Sequence, residues 1–192
     1  MLFVFVGNIG CGKTTAANIL QKDFGFLEFS FASPLKDFAL SIGFNFEDVY
    51  GSQEEKTNVN INFGISGRQF MQKFGTDIMR ANSGFLFNNK IDNIWVKAME
   101  IKISSAKNKN IVVSDGRFVD EIESLKKFGA IVVRLKRSNS PYTSCHSSEI
   151  EIHKIKADIE YENNSTIDAL KSFISSLFSR FADISSKGKE EV

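Results

Sequence analysis

Arginine is scarce in this sequence. Of 24 basic residues only six are arginine: Arg68, Arg80, Arg117, Arg134, Arg137 and Arg180. Where lysine supplies general solubility, the few arginines become candidates for planar, bidentate recognition of oxyanions. Histidine is scarcer still, with His146 and His153 both far in sequence from the amino-terminal glycines. The two cysteines, Cys11 and Cys145, are distant and lack metal-ligand spacing, which favours free thiols in a reducing compartment over a disulfide. Long hydrophobic runs are missing as well. Leu2–Val6 spans five residues before glycine, too short for a signal-peptide core or a membrane span, so the cytoplasm is the expected compartment. Excess charge of one sign is absent: the formal net charge is +1, with no run of like charges to draw the chain to nucleic acid or an anionic membrane.

What is present has the balance of a globular protein, 42% hydrophobic and 24% charged over 192 residues. That length predicts one domain, over 1–183, followed by a frayed charged tail at 184–192. The run LFVFV at Leu2–Val6 reads as a strand buried on both faces of a parallel sheet. A helix is expected over Lys13–Asp23, a short strand over Phe26–Phe31, and a helix opened by Pro34 and running to Ile42. From Asn45 to Gly67 the periodicity is lost, and this Asn-rich stretch reads as a mobile connection. Helical spacing returns over Arg68–Arg80 and Ile91–Ile103. Ile111–Ser114 reads as a buried strand, followed by a helix carrying Phe118, Ile122, Leu125 and Phe128. Ala130–Leu135 and Ala157–Tyr161 are the remaining strands, and Thr166–Phe181 is an amphipathic helix.

Gly7-Asn8-Ile9-Gly10-Cys11-Gly12-Lys13-Thr14 satisfies GxxxxGK[ST] between an expected strand and an expected helix. Glycines let the backbone curl so that successive N–H groups face a phosphate, and the helix N-terminus adds a positive partial charge. Gly10, Cys11, Gly12, Lys13, Thr14 and Thr15 are therefore the expected ATP-binding residues, with Lys13 reaching the β- and γ-phosphates and the Thr14 hydroxyl placed for Mg²⁺. Alternating strands and helices with this loop predict an α/β P-loop NTPase fold. It would have a central, mostly parallel sheet with helices on both faces and a site at the carboxyl ends of the strands. Ile111–Asp115 has the pattern of a Walker B strand, which makes Asp115 a second candidate for the Mg²⁺ shell. Arg117 would face the same way as Asp115 if that strand continued; ion pairing with Asp115 or Glu121 is the plainer alternative.

Beyond the loop, several blocks occur in order: Phe31-Ala32-Ser33-Pro34-Leu35-Lys36, Arg68 to Asp77 (RQFMQKFGTD), Trp95-Val96-Lys97, Ser114 to Glu121 (SDGRFVDE), and His146-Ser147-Ser148-Glu149. As an ordered set they resemble the deoxynucleoside monophosphate kinases of tailed phages and some large viruses. The resemblance runs from Leu2 to about Leu177. It implies a nucleoside monophosphate kinase-like fold with ATP and Mg²⁺ at the loop, small-molecule nucleotides as partners, and the host cytoplasm as location for a viral source. It also implies acceptor-binding helices at about 45–105, a lid-like segment at about 137–149, and an acceptor site of Lys36, Arg68, Gly75, Thr76, Trp95, Asp115, Arg117 and Glu121. Lys13, Arg117 and Arg137 would be the catalytic cations. Trp95 is further expected to pack near the acceptor's 2′ carbon and favour deoxyribose; a core position on its helix, or a solvated helix lysine at Lys36, is the alternative in each case. A homodimer is compatible with the resemblance, the phenylalanine-rich helices offering an interface, though all 19 phenylalanines can equally serve as core. Two departures stand out: the connection from Phe44 to Arg68 is short compared with some members, and Gly116 between Asp115 and Arg117 is expected to loosen the turn.

The shortage of histidine fits this acceptor. A nucleoside monophosphate has a second pKa near ~6, so its attacking oxygen is largely ionised at neutral pH and needs no general base, unlike an alcohol. The rival readings are a P-loop kinase for another small acceptor (dephospho-coenzyme A, a phosphorylated mevalonate or gluconate) and a P-loop switch or motor. Against the last two stand the lack of a guanine-reading N-K-x-D, the lack of a basic stripe and the short chain.

Overall fold

The computed structural model describes residues 1–107, 109–138 and 151–187, with side chains described to residue 182. Most of the expected lid segment, His146, Glu149 and the end of the tail lie outside the described residues. The chain forms two compact units, Met1–Ser30 with Lys102–Val192, and Phe31–Ile101.

The first unit is built on five parallel strands: β1 (Leu2–Val6), β2 (Leu27–Phe29), β3 (Ile111–Val113), β4 (Ile131–Lys136) and β5 (Ile159–Glu162), in the order β2-β3-β1-β4-β5. β1 is central, paired with β3 (Val4 opposite Val113) and with β4 (Val4 opposite Val132). Its five residues are all buried, as a strand covered on both faces requires. Alternation assigns its side chains to two layers. Phe3 and Phe5 join Ala16, Ala17 and Leu20 of α1 (Lys13–Phe24) and Leu170, Ile174 and Leu177 of α8 (Ile167–Lys187) in one core. Val4 and Val6 face the opposite side, where a Cβ on Gly116 would strike Val4 Cγ2 and Ile122 Cδ1 of α7 (Val119–Lys127) at 2.9 Å each. Helices therefore cover both faces of the sheet. α8 runs on to Lys187, past the expected end at Phe181 and into the expected tail.

The second unit is helical: α2 (Ser33–Ser41), α3 (Phe46–Tyr50), α4 (Gly67–Gln72) and α5 (Ser83–Leu86), with most of α6 (Ile94–Ser105). Two findings differ from the sequence reading. The expected helix over Arg68–Arg80 is α-helical only to Gln72 and continues as π-helix over Lys73–Arg80, a wider winding that recurs at functional sites. The stretch after Phe44, expected to be a mobile connection, is organised by local polar bonds. Asp48 Oδ2 accepts from the Asn45 main-chain N–H at 2.9 Å and from Asn60 Nδ2 at 2.6 Å, and Ser66 caps α4 through Gln69 N at 3.2 Å. Asparagine and aspartate bond nearby backbone readily, so such a segment is ordered without apolar periodicity.

Candidate active site

Because the five strands are parallel, their carboxyl ends share one edge of the sheet. Each strand is followed there by residues that bear on chemistry: the Gly7–Thr14 loop after β1, Ser30 after β2, Asp115 after β3, Arg137 after β4 and Asn163 after β5.

The loop has the backbone that its glycines permit. Gly7, Gly10 and Gly12 hold φ of 142°, 80° and 101°, strained for any residue with a Cβ. Gly7 is excluded from substitution by space as well, since a Cβ there would lie 2.2 Å from the Leu135 carbonyl oxygen. Gly12 precedes α1, whose first turn carries Lys13, Thr14 and Thr15. The Lys13 ammonium donates to the main-chain carbonyls of Gly7 at 2.6 Å and Asn8 at 2.8 Å, which places its charge over the loop. Cys11 is a buried free thiol, with Lys13 Nζ 3.7 Å from its Sγ.

Around the loop, Asp115 Oδ2 accepts a 2.7 Å hydrogen bond from the Ser30 hydroxyl, so β2 fixes the carboxylate that follows β3. β3 ends at Val113, so the condition under which Arg117 would face the same way as Asp115, a strand that continues, is not met. Gly116 is buried and required by close packing, not a loosening of the turn. Glu121 is buried, and its Oε2 accepts from the main-chain N–H groups of Arg117 at 2.9 Å and Phe118 at 3.1 Å. This carboxylate caps α7 and fixes the backbone of Arg117.

A cavity of about 210 Å³ lies on the β4 side of the loop, lined among others by Asn8, Cys11, Arg137, His153 and Glu162. His153, placed far from the loop by sequence order, thus shares a cavity with it, and exposed Arg137 is the only one of the three expected catalytic cations to line it. Arg134 is structural. It is buried, donates to the Ile152 carbonyl at 3.1 Å and to that of Ile155, and sets Nε 3.2 Å from Glu160 Oε1, outside hydrogen-bond alignment. Lys136, at 2.6 Å, and then Arg134 hold Glu160 below the usual carboxylate range.

The other expected residues stand in the second unit. Trp95 and Gly75 are brought together: the indole Nε1 donates to the Gly75 carbonyl at 2.8 Å, anchoring the π-helix that also carries Thr76. Gly75 is packed so closely that a Cβ would lie 2.4 Å from Leu35 Cδ2. Arg68 donates to the Gln53 side chain, a partner without any motif to announce it. Lys36 Nζ sits 4.4 Å from the centre of the Tyr50 ring, and burial together with Asp37 raises the Tyr50 hydroxyl above its ordinary pKa. Ser30, Gln53, Tyr50 and Asn163 were missed from sequence; only Ser30 and Asn163 carried a signal, as polar residues directly beyond strands of a parallel sheet.

A family model described as deoxynucleotide monophosphate kinase matches residues 44–174. A protein of Acanthamoeba polyphaga mimivirus, provisionally named deoxynucleotide monophosphate kinase, is 34% identical over 185 residues, covering 91% of this chain and 94% of the relative. The deoxynucleotide monophosphate kinase of Escherichia phage RB69 is 29% identical over 142 residues, covering 71% of this chain and 54% of that protein. Among solved structures, shikimate kinase from Aquifex aeolicus vf5 superposes with a TM-score of 0.54 at 14% identity, covering 95% of this chain and 98% of that one. Dephospho-CoA kinase from Campylobacter jejuni gives 0.52 at 17% identity, covering 95% and 97%. At such identities these two show the fold alone.

Proposed function

The chain belongs to the deoxynucleotide monophosphate kinase family, and we propose that it transfers the γ-phosphoryl group of ATP to a deoxynucleoside 5′-monophosphate, giving the diphosphate. The observation that carries the phosphoryl-transfer half is the loop itself, three glycines at left-handed φ with the Lys13 ammonium held over them. Gly10 to Thr15 are assigned to the triphosphate, and Lys13 neutralises charge on the phosphates during transfer.

For Mg²⁺, the donors at hand are the Thr14 hydroxyl and the Asp115 carboxylate, hard oxygens of the kind this ion takes alongside phosphate and water. Among the described residues no group of three or more His, Cys, Asp or Glu offers a competing site. Bound by Thr14 and Asp115, the ion would lower the charge on the transferring phosphates. Ser30 keeps the Asp115 carboxylate in place.

For the acceptor, Lys36, Arg68, Gly75, Thr76 and Trp95 are assigned to the monophosphate nucleotide by the family resemblance, and Arg117 is assigned to phosphate binding as a scarce guanidinium. Glu121 contributes by setting the Arg117 backbone. The acceptor oxygen is already ionised, so no base is assigned, and Arg137 supplies positive charge to the phosphoryl group in flight. ADP release in a coupled assay tests this reading with each deoxynucleotide in turn. We expect release to depend on the nucleotide and its kcat/KM to rise with pH through the acceptor's second ionisation near ~6, then level off. Release without a nucleotide, or faster with shikimate, gluconate or dephospho-coenzyme A, would defeat it.

A further inference from the structure

The β5–α8 connection holds a buried asparagine that neither the motifs nor the family assignment gives a task. Asn163 is 8% exposed, and its Nδ2 donates to the Cys11 carbonyl at 2.9 Å across 152 residues of sequence. Its main-chain N–H donates to the Lys136 carbonyl at 2.7 Å, fastening the end of β5 to the end of β4. The next residue continues the seam, Asn164 Oδ1 accepting from Ser138 N and Nδ2 donating to Ser138 Oγ, both at 2.8 Å. Contact with the loop is close: a Cβ on Gly12 would lie 2.4 Å from Asn163 Nδ2.

We propose that Asn163 is a positioning residue for the ATP phosphates, holding the Cys11 carbonyl outward so that the Gly12 N–H faces the phosphate cradle. The chain has no cis peptide among its described bonds, and in a trans peptide the C=O and N–H of one plane point in opposite directions. Fixing the Cys11 oxygen on Asn163 therefore fixes the Gly12 hydrogen on the other side. A glycine at φ 101° has many alternative orientations for that plane, and an external donor selects one before the ligand arrives. Burial makes the choice firm, because an unmet carbonyl in this place has no water to turn to. The acceptor is a carbonyl oxygen, so the amide must present its NH₂ end, which aspartate cannot do.

This inference rests on the loop binding ATP, and its test separates the two. Inorganic tripolyphosphate is titrated calorimetrically into the wild type, Asn163→Ala, Asn163→Asp and Asn164→Ala, with thermal unfolding measured on each. Both changes at 163 are expected to weaken tripolyphosphate binding roughly ten- to hundredfold, the cost of one lost buried hydrogen bond. In the transfer assay they raise the KM for ATP and leave that for the deoxynucleotide unchanged. Asn164→Ala, which among the described residues loses only the Ser138 bonds, keeps wild-type tripolyphosphate affinity. Unchanged affinity in folded Asn163 variants, or an equal loss in Asn164→Ala, overturns the proposal while the kinase reading stands. A wild type that spares deoxynucleotides but still shows the Asn163 effect overturns the acceptor reading alone. Should neither 163 variant fold, the wild-type ¹⁵N spectrum decides. Tripolyphosphate is expected to move the Gly12 amide proton downfield, and an unmoved Gly12 beside shifted Lys13 and Thr14 amides overturns the inference.

Discussion

In the first unit every residue of β1 is buried and the strand lies between β3 and β4, whereas in the second the segment from Asn45 to Ser66 is arranged around one buried carboxylate, that of Asp48. The first has a core of strand phenylalanines and valines closed by two amphipathic helices. The second has a small core of Ala39, Phe44 and Val49 and a run of stacked rings, Phe38 on Phe74 at 5.0 Å and Phe44 on Phe63 at 4.4 Å. Apolar side chains remain on its surface, Ile61 at 94% and Phe85 at 84% exposure. The glycine loop thus follows a strand held in a continuous ladder, whereas Lys36, Arg68, Gly75, Thr76 and Trp95 stand on the helices of the second unit. A triphosphate is the same for every such enzyme; an acceptor differs, and short polar-bonded elements change contacts without disturbing a sheet.

The largest expected effect separates the halves outright. Lys13→Ala should lower kcat by about 10²–10³-fold with every acceptor, as loss of a transition-state charge does; a rise in KM alone, with kcat intact, would confine Lys13 to binding. Next come the two scarce guanidiniums. Arg68→Ala and Arg117→Ala should each raise the acceptor KM roughly ten- to hundredfold while leaving the KM for ATP alone. An effect of Arg117→Ala on ATP instead would return that residue to the phosphate-donor side.

Smaller is Asp48→Ala, which strands the Asn60 amide and the Asn45 N–H and should destabilise by about 1–3 kcal/mol. Hydrogen exchange should quicken at residues 45–66 with tripolyphosphate affinity unchanged; protection kept there would show that the polar knot is not what orders the segment. The smallest concerns Trp95. Trp95→Phe removes the bond to Gly75 at a net cost of about 0.5–1.5 kcal/mol, visible in thermal unfolding. Trp95→Ala should narrow the ratio of kcat/KM for dGMP over GMP, and a fixed ratio with both constants lowered leaves Trp95 as packing alone.

The same contrast explains what could be read from sequence. The strand Leu2–Val6 and the glycine loop were legible because burial on both faces and left-handed φ each restrict residue type at single positions. The Asp48 knot was not, since Asn45, Asp48 and Asn60 mark order only once their partners are known. The π-helix was hidden because its residues have ordinary helical spacing over the first turn. The cap that Glu121 makes was also open to reading, since SDGRFVDE contains the spacing of a helix cap, three residues from Phe118. Gly116 was read as slack; only the positions of Val4 and Ile122 reveal a steric demand. Asn163 answers to Cys11, 152 residues away, a pairing that no local pattern encodes.

Product identification in a single mixture tests the central claim most directly. ATP labelled at the γ-phosphate is incubated with the protein, Mg²⁺ and equimolar deoxynucleoside monophosphates, ribonucleoside monophosphates, shikimate, gluconate and dephospho-coenzyme A, and the labelled products are separated. Label in deoxynucleoside diphosphates is the expected result. Label that collects in another acceptor, or only in inorganic phosphate, would contradict it.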